Sequence, residues 1–288
     1  MNIKIISDSG CDMSQREAKE SNLTILPLKT LIDGIEYRDG IDIMSAEFYE
    51  KLDCCQSLPS TSQVTPAEYA DAYSTALESA DDILVITIGA KLSGTFQSAN
   101  IAAADFPGKI HVLDSGNVAA GQRILVDYAL RLRDQGCSIN EMLLKLEQAK
   151  RRLCIIARVD TLEYLKRGGR LSKTAAIAGS ILNIKPVLGL ENGEIVILGK
   201  ARGSKAGNNL LTDLINKQGG VDFSMPYMLV YSGNDDALLK GYIDNSRCLW
   251  EGHTGHLPIS IIGSTIGTHV GPGAIGVAFF SNYESHRN

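Results

Sequence analysis

The sequence has no CxxC pair. Its six cysteines (Cys11, Cys54, Cys55, Cys137, Cys154, Cys248) are scattered along a long chain, which fits reduced thiols better than a disulfide framework. It has no basic excess either: the net charge of -5 excludes an electrostatic case for a nucleic-acid partner. No uninterrupted apolar run approaches roughly 18 residues, and no charged leader precedes an apolar core at the N-terminus, so neither a membrane span nor secretion is expected and the expected location is cytoplasmic. No internal repeat and no low-complexity tract appears. What is present is ordinary for a globular protein, with 44% hydrophobic and 21% charged residues. At 288 residues a single core stops growing, so two α/β domains are expected, over residues 1–153 and 154–288.

The stretch IGAKLSGTFQSAN (88–100) is the expected working end. It follows ILVITI (83–88), a short β-branched run suited to a strand buried on both faces. Ser93-Gly94-Thr95 then opens a helix with apolar positions at Phe96, Ile101 and Phe106. A helix start leaves amides unpaired, and with the Ser93 and Thr95 hydroxyls these form a small anion site unless Ser93 is only an N-cap. Ile3 to Ile6 is a strand running into SDSGCD, and TILPLKTLID (24–33) reads as another. Ser45 caps a short helix. Thr65 and Glu68 form a capping box with Pro66 at the first helical position, which leaves Pro59-Ser60-Thr61-Ser62-Gln63 as a hydroxyl-rich loop. A strand over 109–113 ends in Asp114-Ser115. Helices over 118–135 and 139–152 follow, separated by Gly136 and a Ser138/Glu141 capping box. Alternating strands and helices imply a parallel sheet, whose ligands sit beyond the carboxyl ends of the strands; SDSG, PSTSQ, KLSGT and DSGN are candidates for that rim.

After Leu153 the pattern changes. A strand over 154–159 leads into TLEYLKRGGRLS, where Gly168-Gly169 breaks a short helix and Ser172 caps another. Asn192-Gly193 predicts a tight hairpin within PVLGLENGEIVILGKARG, hence antiparallel pairing. Helices over 205–217 and 237–250 alternate with strands over 227–231, 259–262 and 274–280, so the second domain has a mixed sheet. Its last two strands flank the glycine-rich IGSTIGTHVGPG, which holds His269.

Tested as chemistry, most motifs fail. The loop 89–95 lacks the lysine of a nucleotide-binding loop, since Thr95 follows Gly94. Gly271, Gly273 and Gly276 spell GxGxxG but precede a strand and open no helix. His253 and His256 lack helical spacing and nearby thiolates, so no metal site is expected. A serine hydrolase is the more serious rival, with Ser93 as nucleophile, His269 as base, and Asp8 or Asp114 as orienting acid, although Lys91 stands where the elbow motif needs glycine. What remains is a set of hydroxyls, helix-end amides and one histidine. Such a set binds carboxylate or phosphate.

Taken together, SDSGCD, PSTSQVTP, the strand before KLSGTFQSA, the DS after the next strand, YLKRGGRLS, NIKPVL and IGSTIGTHVGPGAIGVAFF resemble the DegV family over nearly the whole chain. Ala90-Lys91 before LSGT and Cys54-Cys55 before PSTSQ depart from the pattern and leave its core motifs intact. The resemblance implies a two-domain α/β protein, parallel sheet first and mixed sheet second. One long-chain fatty acid, such as palmitate, stearate or oleate, would lie in a tunnel between the domains with no other cofactor. It further implies a non-enzymatic subunit that presents the acid to a separate ATP-binding kinase subunit for acyl-phosphate formation, exchanging cargo by transient contact with a membrane surface. Carried over by residue, Thr61, Ser62, Ser93, Gly94 and His269 would bind the carboxylate, and Arg170 and Arg202 would lie near the entrance or head group. Lys166 and Arg167 form a basic turn suited to an acidic partner. The alternative is an enzyme in its own right, through Ser93 or by phosphotransfer like that of dihydroxyacetone kinase, whose fold the resemblance implies the family shares.

Overall fold

The short β-branched runs of the first half pair side by side in one direction. In the computed structural model, which describes residues 2–171 and 183–283, β1 (Ile3–Asp8), β2 (Leu23–Leu26), β6 (Asp82–Thr87) and β7 (Ile110–Asp114) form a parallel sheet in the order β2-β1-β6-β7. β6 is buried at every position, as a strand covered on both faces must be. One face carries α3 (Pro66–Leu77) and α4 (Thr95–Ala103), where Tyr69, Tyr73, Ala99 and Ala102 pack on Ile6, Ile83 and Val85. The other carries α5 (Ala120–Asp134) and α6 (Ile139–Lys150). Capping boxes open α1 (Gln15–Glu20, through Ser14 and Glu17), α3 and α6, and Gly136 at φ 77 closes the turn after α5.

The second sheet has the order β10-β9-β8-β13-β11-β12, built from β8 (Leu153–Arg158), β9 (Ile184–Glu191), β10 (Glu194–Arg202), β11 (Met228–Tyr231), β12 (Ile259–Ile261) and β13 (Ile275–Phe280). Among its described strands β11 and β12 pair in parallel and the other neighbours antiparallel, so the sheet is mixed. The hairpin forms as expected: Asn192 at φ 51 and Gly193 at φ 79 supply the two positive φ values of a tight turn. α8 (Ser204–Lys217) and α9 (Ala237–Asn245) bring Leu211, Ile215, Leu239 and Tyr242 into the core of one face. The other face meets α5, whose core cluster reaches from Ile5 and Leu84 on the first sheet to Val230, Ala278 and Phe280 on the second. α5 is thus packed between both sheets.

Several expectations are corrected. The run 24–33 is two strands, because Pro27 has no amide for a continuing ladder and the Leu28 amide donates instead to Ser9 Oγ at 3.0 Å. Its second half, β3 (Lys29–Ile32), joins β4 (Ile35–Arg38) and β5 (Ser60–Ser62) in an antiparallel sheet ordered β4-β3-β5. The hydroxyl-rich stretch is therefore an edge strand rather than a loop. The glycine-rich IGSTIGTHVGPG contains a helix, α10 (Ser264–Val270), which packs on α2 (Ser45–Cys54) and α7 (Glu163–Arg167). On α4, Ile101 is exposed and the buried face is made of Thr95, Ser98, Ala99 and Ala102. The helix expected over 237–250 stops at Asn245, and α2 begins after Met44 without a side-chain cap from Ser45. The helix expected after Ser172 lies outside the described residues. Among the described residues no helix is long and apolar enough to cross a membrane.

Candidate functional site

Parallel pairing brings the carboxyl ends of β1, β6 and β7 to one rim, and two aspartates tie its loops. Buried Asp8 accepts from the amides of Gly10 (3.0 Å) and Ile88 (2.8 Å) and from Gln122 (3.1 Å). Asp114 Oδ1 accepts from Ala90 (3.0 Å) and Gly116 (2.8 Å). Held this way, the chain reaches Ser93, whose Oγ lies 2.9 Å from Thr95 Oγ1 and accepts from the Thr95 amide at 3.3 Å. Gly94, not Ser93, occupies the N-cap position. A Cβ on Gly94 would stand 2.0 Å from Gln63 Oε1, so glycine here admits the Gln63 side chain, which donates to Ser98 Oγ at 2.7 Å.

The edge strand supplies the opposite wall. Thr61 pairs with Thr30, and strand alternation turns both toward α10. Thr30 Oγ1 lies 3.0 Å from Ser264 Oγ, and Thr61 Oγ1 lies 2.8 Å from His269 Nε2. The same alternation leaves Ser62 exposed, on the other side of the strand from Thr61. α10 itself is fixed at its start by carboxylates from the first half: Asp39 accepts from the Ser264 amide and hydroxyl, and Asp12 from the Gly263 amide. Its middle is pressed against α2, for a Cβ on Gly267 would fall 2.6 Å from the Phe48 ring.

Two adjoining cavities lie between these walls. The first, about 340 Å3, is lined at one end by Thr61, Ser62, Gln63, Ser93, Gly94, Arg170 and His269. The second, about 60 Å3, is lined by apolar side chains and backbone alone, Ala157, Val230 and Ile275 among them. Val118, Leu165, Ile195, Ile266 and Val270 line both, so the apolar space continues directly from the polar one. Arg170, one of the lining residues, donates to the carbonyls of Leu92 and Gly168, which brace its guanidinium. Burial, assisted by Arg170, pushes the half-buried His269 down to about 4, so its imidazole is neutral at neutral pH.

Of the residues expected at the site, Thr61, Ser62, Ser93, Gly94, His269 and Arg170 meet at one cavity. Arg202 does not line it: it is exposed at the end of β10, paired with Ile184. Lys166 and Arg167 are exposed on α7, with Arg167 3.4 Å from Glu163. The triad is not assembled. Asp8 and Asp114 are used by backbone amides, His269 Nε2 faces Thr61, and His269 Nδ1 has no hydrogen-bond partner among the described residues. His253 stacks on Phe223, with centroids 4.9 Å apart, and among the described residues no cluster suits a metal ion. Sequence reading missed the apolar lining. Read as a helix, α10 would have shown it, since Thr265 with His269 and Ile266 with Val270 are i,i+4 pairs on one face.

The fold and cavity together define a two-domain α/β protein with a partly open, largely apolar pocket whose lining includes hydroxyls, a histidine and one guanidinium. By sequence the chain belongs to the DegV family, whose model, described as an uncharacterised protein of that family, matches residues 2–282. A DegV domain-containing protein of Caldanaerobacter subterraneus subsp. tengcongensis is 35% identical over 96% of this chain and 98% of its own. Among solved structures, a fatty-acid-binding DegV family protein from Thermus thermophilus superposes with a TM-score of 0.89 at 32% identity, covering 98% of this chain and 100% of its own. A stearic acid-binding protein from Eubacterium ventriosum gives 0.83 at 28%, covering 98% and 99%.

Proposed function

We propose that this chain is a carrier that encloses one long-chain fatty acid between its two domains, which divide near residues 153 and 154, and presents it to a separate ATP-binding kinase subunit. The observation that carries this reading is the continuity of the polar and apolar cavities through five shared apolar side chains. Burying about fifteen methylenes at roughly 0.8 kcal/mol each gives a gross gain near 12 kcal/mol, before ordering and association costs. The carboxylate needs donors where the tail enters, because an unpaired buried charge erases much of that gain. Thr61, Ser93 and the Gly94 amide are those donors, Arg170 supplies the compensating charge, and His269 acts as a neutral imidazole. Ser62 belongs to the rim of the same mouth, and Arg202 has no part in it. The exposed pair Lys166 and Arg167 is the docking point for an acidic kinase partner, and cargo exchanges at a membrane surface.

Freshly purified protein, denatured and extracted, should release a stoichiometric long-chain acid in mass spectrometry. Protein that comes away empty and refuses added palmitate and oleate would overturn the reading.

A further inference from the structure

Gly168 has an ordinary backbone conformation, φ -70 and ψ -10, which any residue adopts, so its glycine is not explained by the chain path. It is explained by what stands against it. A Cβ there would lie 2.2 Å from His269 Nδ1, 2.9 Å from His269 Cε1 and 3.1 Å from the Tyr164 carbonyl oxygen. The direction of that missing Cβ is one Cα–H bond of Gly168, so the glycine points a hydrogen at Nδ1. An Nδ1–H would meet it hydrogen to hydrogen, and would also be a buried donor with no partner among the described residues. A lone pair at Nδ1 accepts the weak Cα–H contact instead. A neutral imidazole carries one ring proton, so excluding it from Nδ1 puts it on Nε2.

From this contact we infer that Gly168 is a positioning residue: it selects the Nε2–H tautomer of His269, which donates to Thr61 Oγ1 and thereby turns the Thr61 hydroxyl proton into the cavity. In the other tautomer Thr61 would spend its own proton on Nε2 and face the ligand with lone pairs only. His269 therefore serves the carboxylate through Thr61. The Gly168-Gly169-Arg170 turn does two jobs: Gly168 orients the histidine and Arg170 supplies the charge. This inference rests on the carboxylate-binding reading for its consequence but not for its first observable.

The tautomer is read in the ligand-free protein by long-range 1H–15N correlation, with the His269 signals assigned by their loss in His269→Gln. The expected result is a protonated Nε2 and an unprotonated Nδ1; a proton on Nδ1 overturns the inference whether or not any fatty acid binds. In Gly168→Ala the methyl group displaces the ring, so this signature should change and palmitate affinity should fall about tenfold, the scale of one hydrogen bond to a charged group. Because Gly168 acts through the histidine, Gly168→Ala should cost nothing further in a His269→Ala background. Losses that add, or an unchanged signature and affinity in Gly168→Ala, would overturn it.

Discussion

Asp39 Oδ1 accepts hydrogen bonds from both the amide and the hydroxyl of Ser264, at 2.9 and 2.7 Å, from a residue 225 positions later in the chain. The bond fixes the start of α10 on the first half of the protein, and α10 carries His269 to Thr61. Its other oxygen accepts from Ser9 Oγ, which in turn accepts from the Leu28 amide. Replacing Asp39 by Ala leaves these buried donors unpaired. Asp39→Ala should lose about 3 kcal/mol of unfolding free energy in urea titrations and weaken palmitate binding. Unchanged stability would show that the latch does not hold the two halves together.

Asp8 gives stability a pH dependence. Burial pushes its carboxyl from 3.8 up to about 6, against the pull of its three donors. Its folded value lies above its unfolded value, so its contribution is fully present below about pH 4 and lost as pH rises through about 6. A shift of that size corresponds to about 3 kcal/mol. Chemical unfolding of wild type and Asp8→Asn across this window should differ by a curve that declines toward neutral pH. Parallel curves would contradict it.

His269 behaves in the opposite sense. Burial and then Arg170 lower it from 6.5 to about 4, so between these values the unfolded chain binds the proton and stability rises with pH. Above about pH 6 the imidazole stays neutral, and palmitate affinity should be flat to about pH 8 in isothermal titrations. A loss of affinity tracking an imidazole near 6.5 would mean that the cation, not the neutral ring, serves the carboxylate.

Ile195 stands where the two cavities join. Ile195→Trp should close the passage, reducing affinity for a sixteen-carbon acid by about a hundredfold, since several buried methylenes at roughly 0.8 kcal/mol each are lost. An eight-carbon acid should be little affected. Equal losses for both acids would place the tail elsewhere.

The capping boxes at Thr65/Glu68 and Ser138/Glu141 and the Asn192-Gly193 turn are local, and each formed as written. The edge strand Ser60–Ser62 was hidden because its partner β3 lies beyond a whole helix, and its hydroxyls have loop composition. α10 was hidden because Gly267 and Gly271, which read as helix breakers, answer tertiary contacts: the first admits Phe48 and Tyr49, the second, at φ 73, the Tyr164 ring. The polar end of the site was legible as motifs. Its apolar continuation was not, since Val118, Leu165 and Ile195 come from separate elements that only folding brings together.

A crystal structure of the protein loaded with oleate would show where the acid sits. The carboxylate should lie between Thr61 Oγ1 and Ser93 Oγ with Arg170 beside it, and the tail should run past Val118 and Ile195 toward Ala157 and Ile275. A carboxylate bound away from Thr61 and Ser93, or a tail left outside the apolar cavity, would mean that this pocket does not hold the acid.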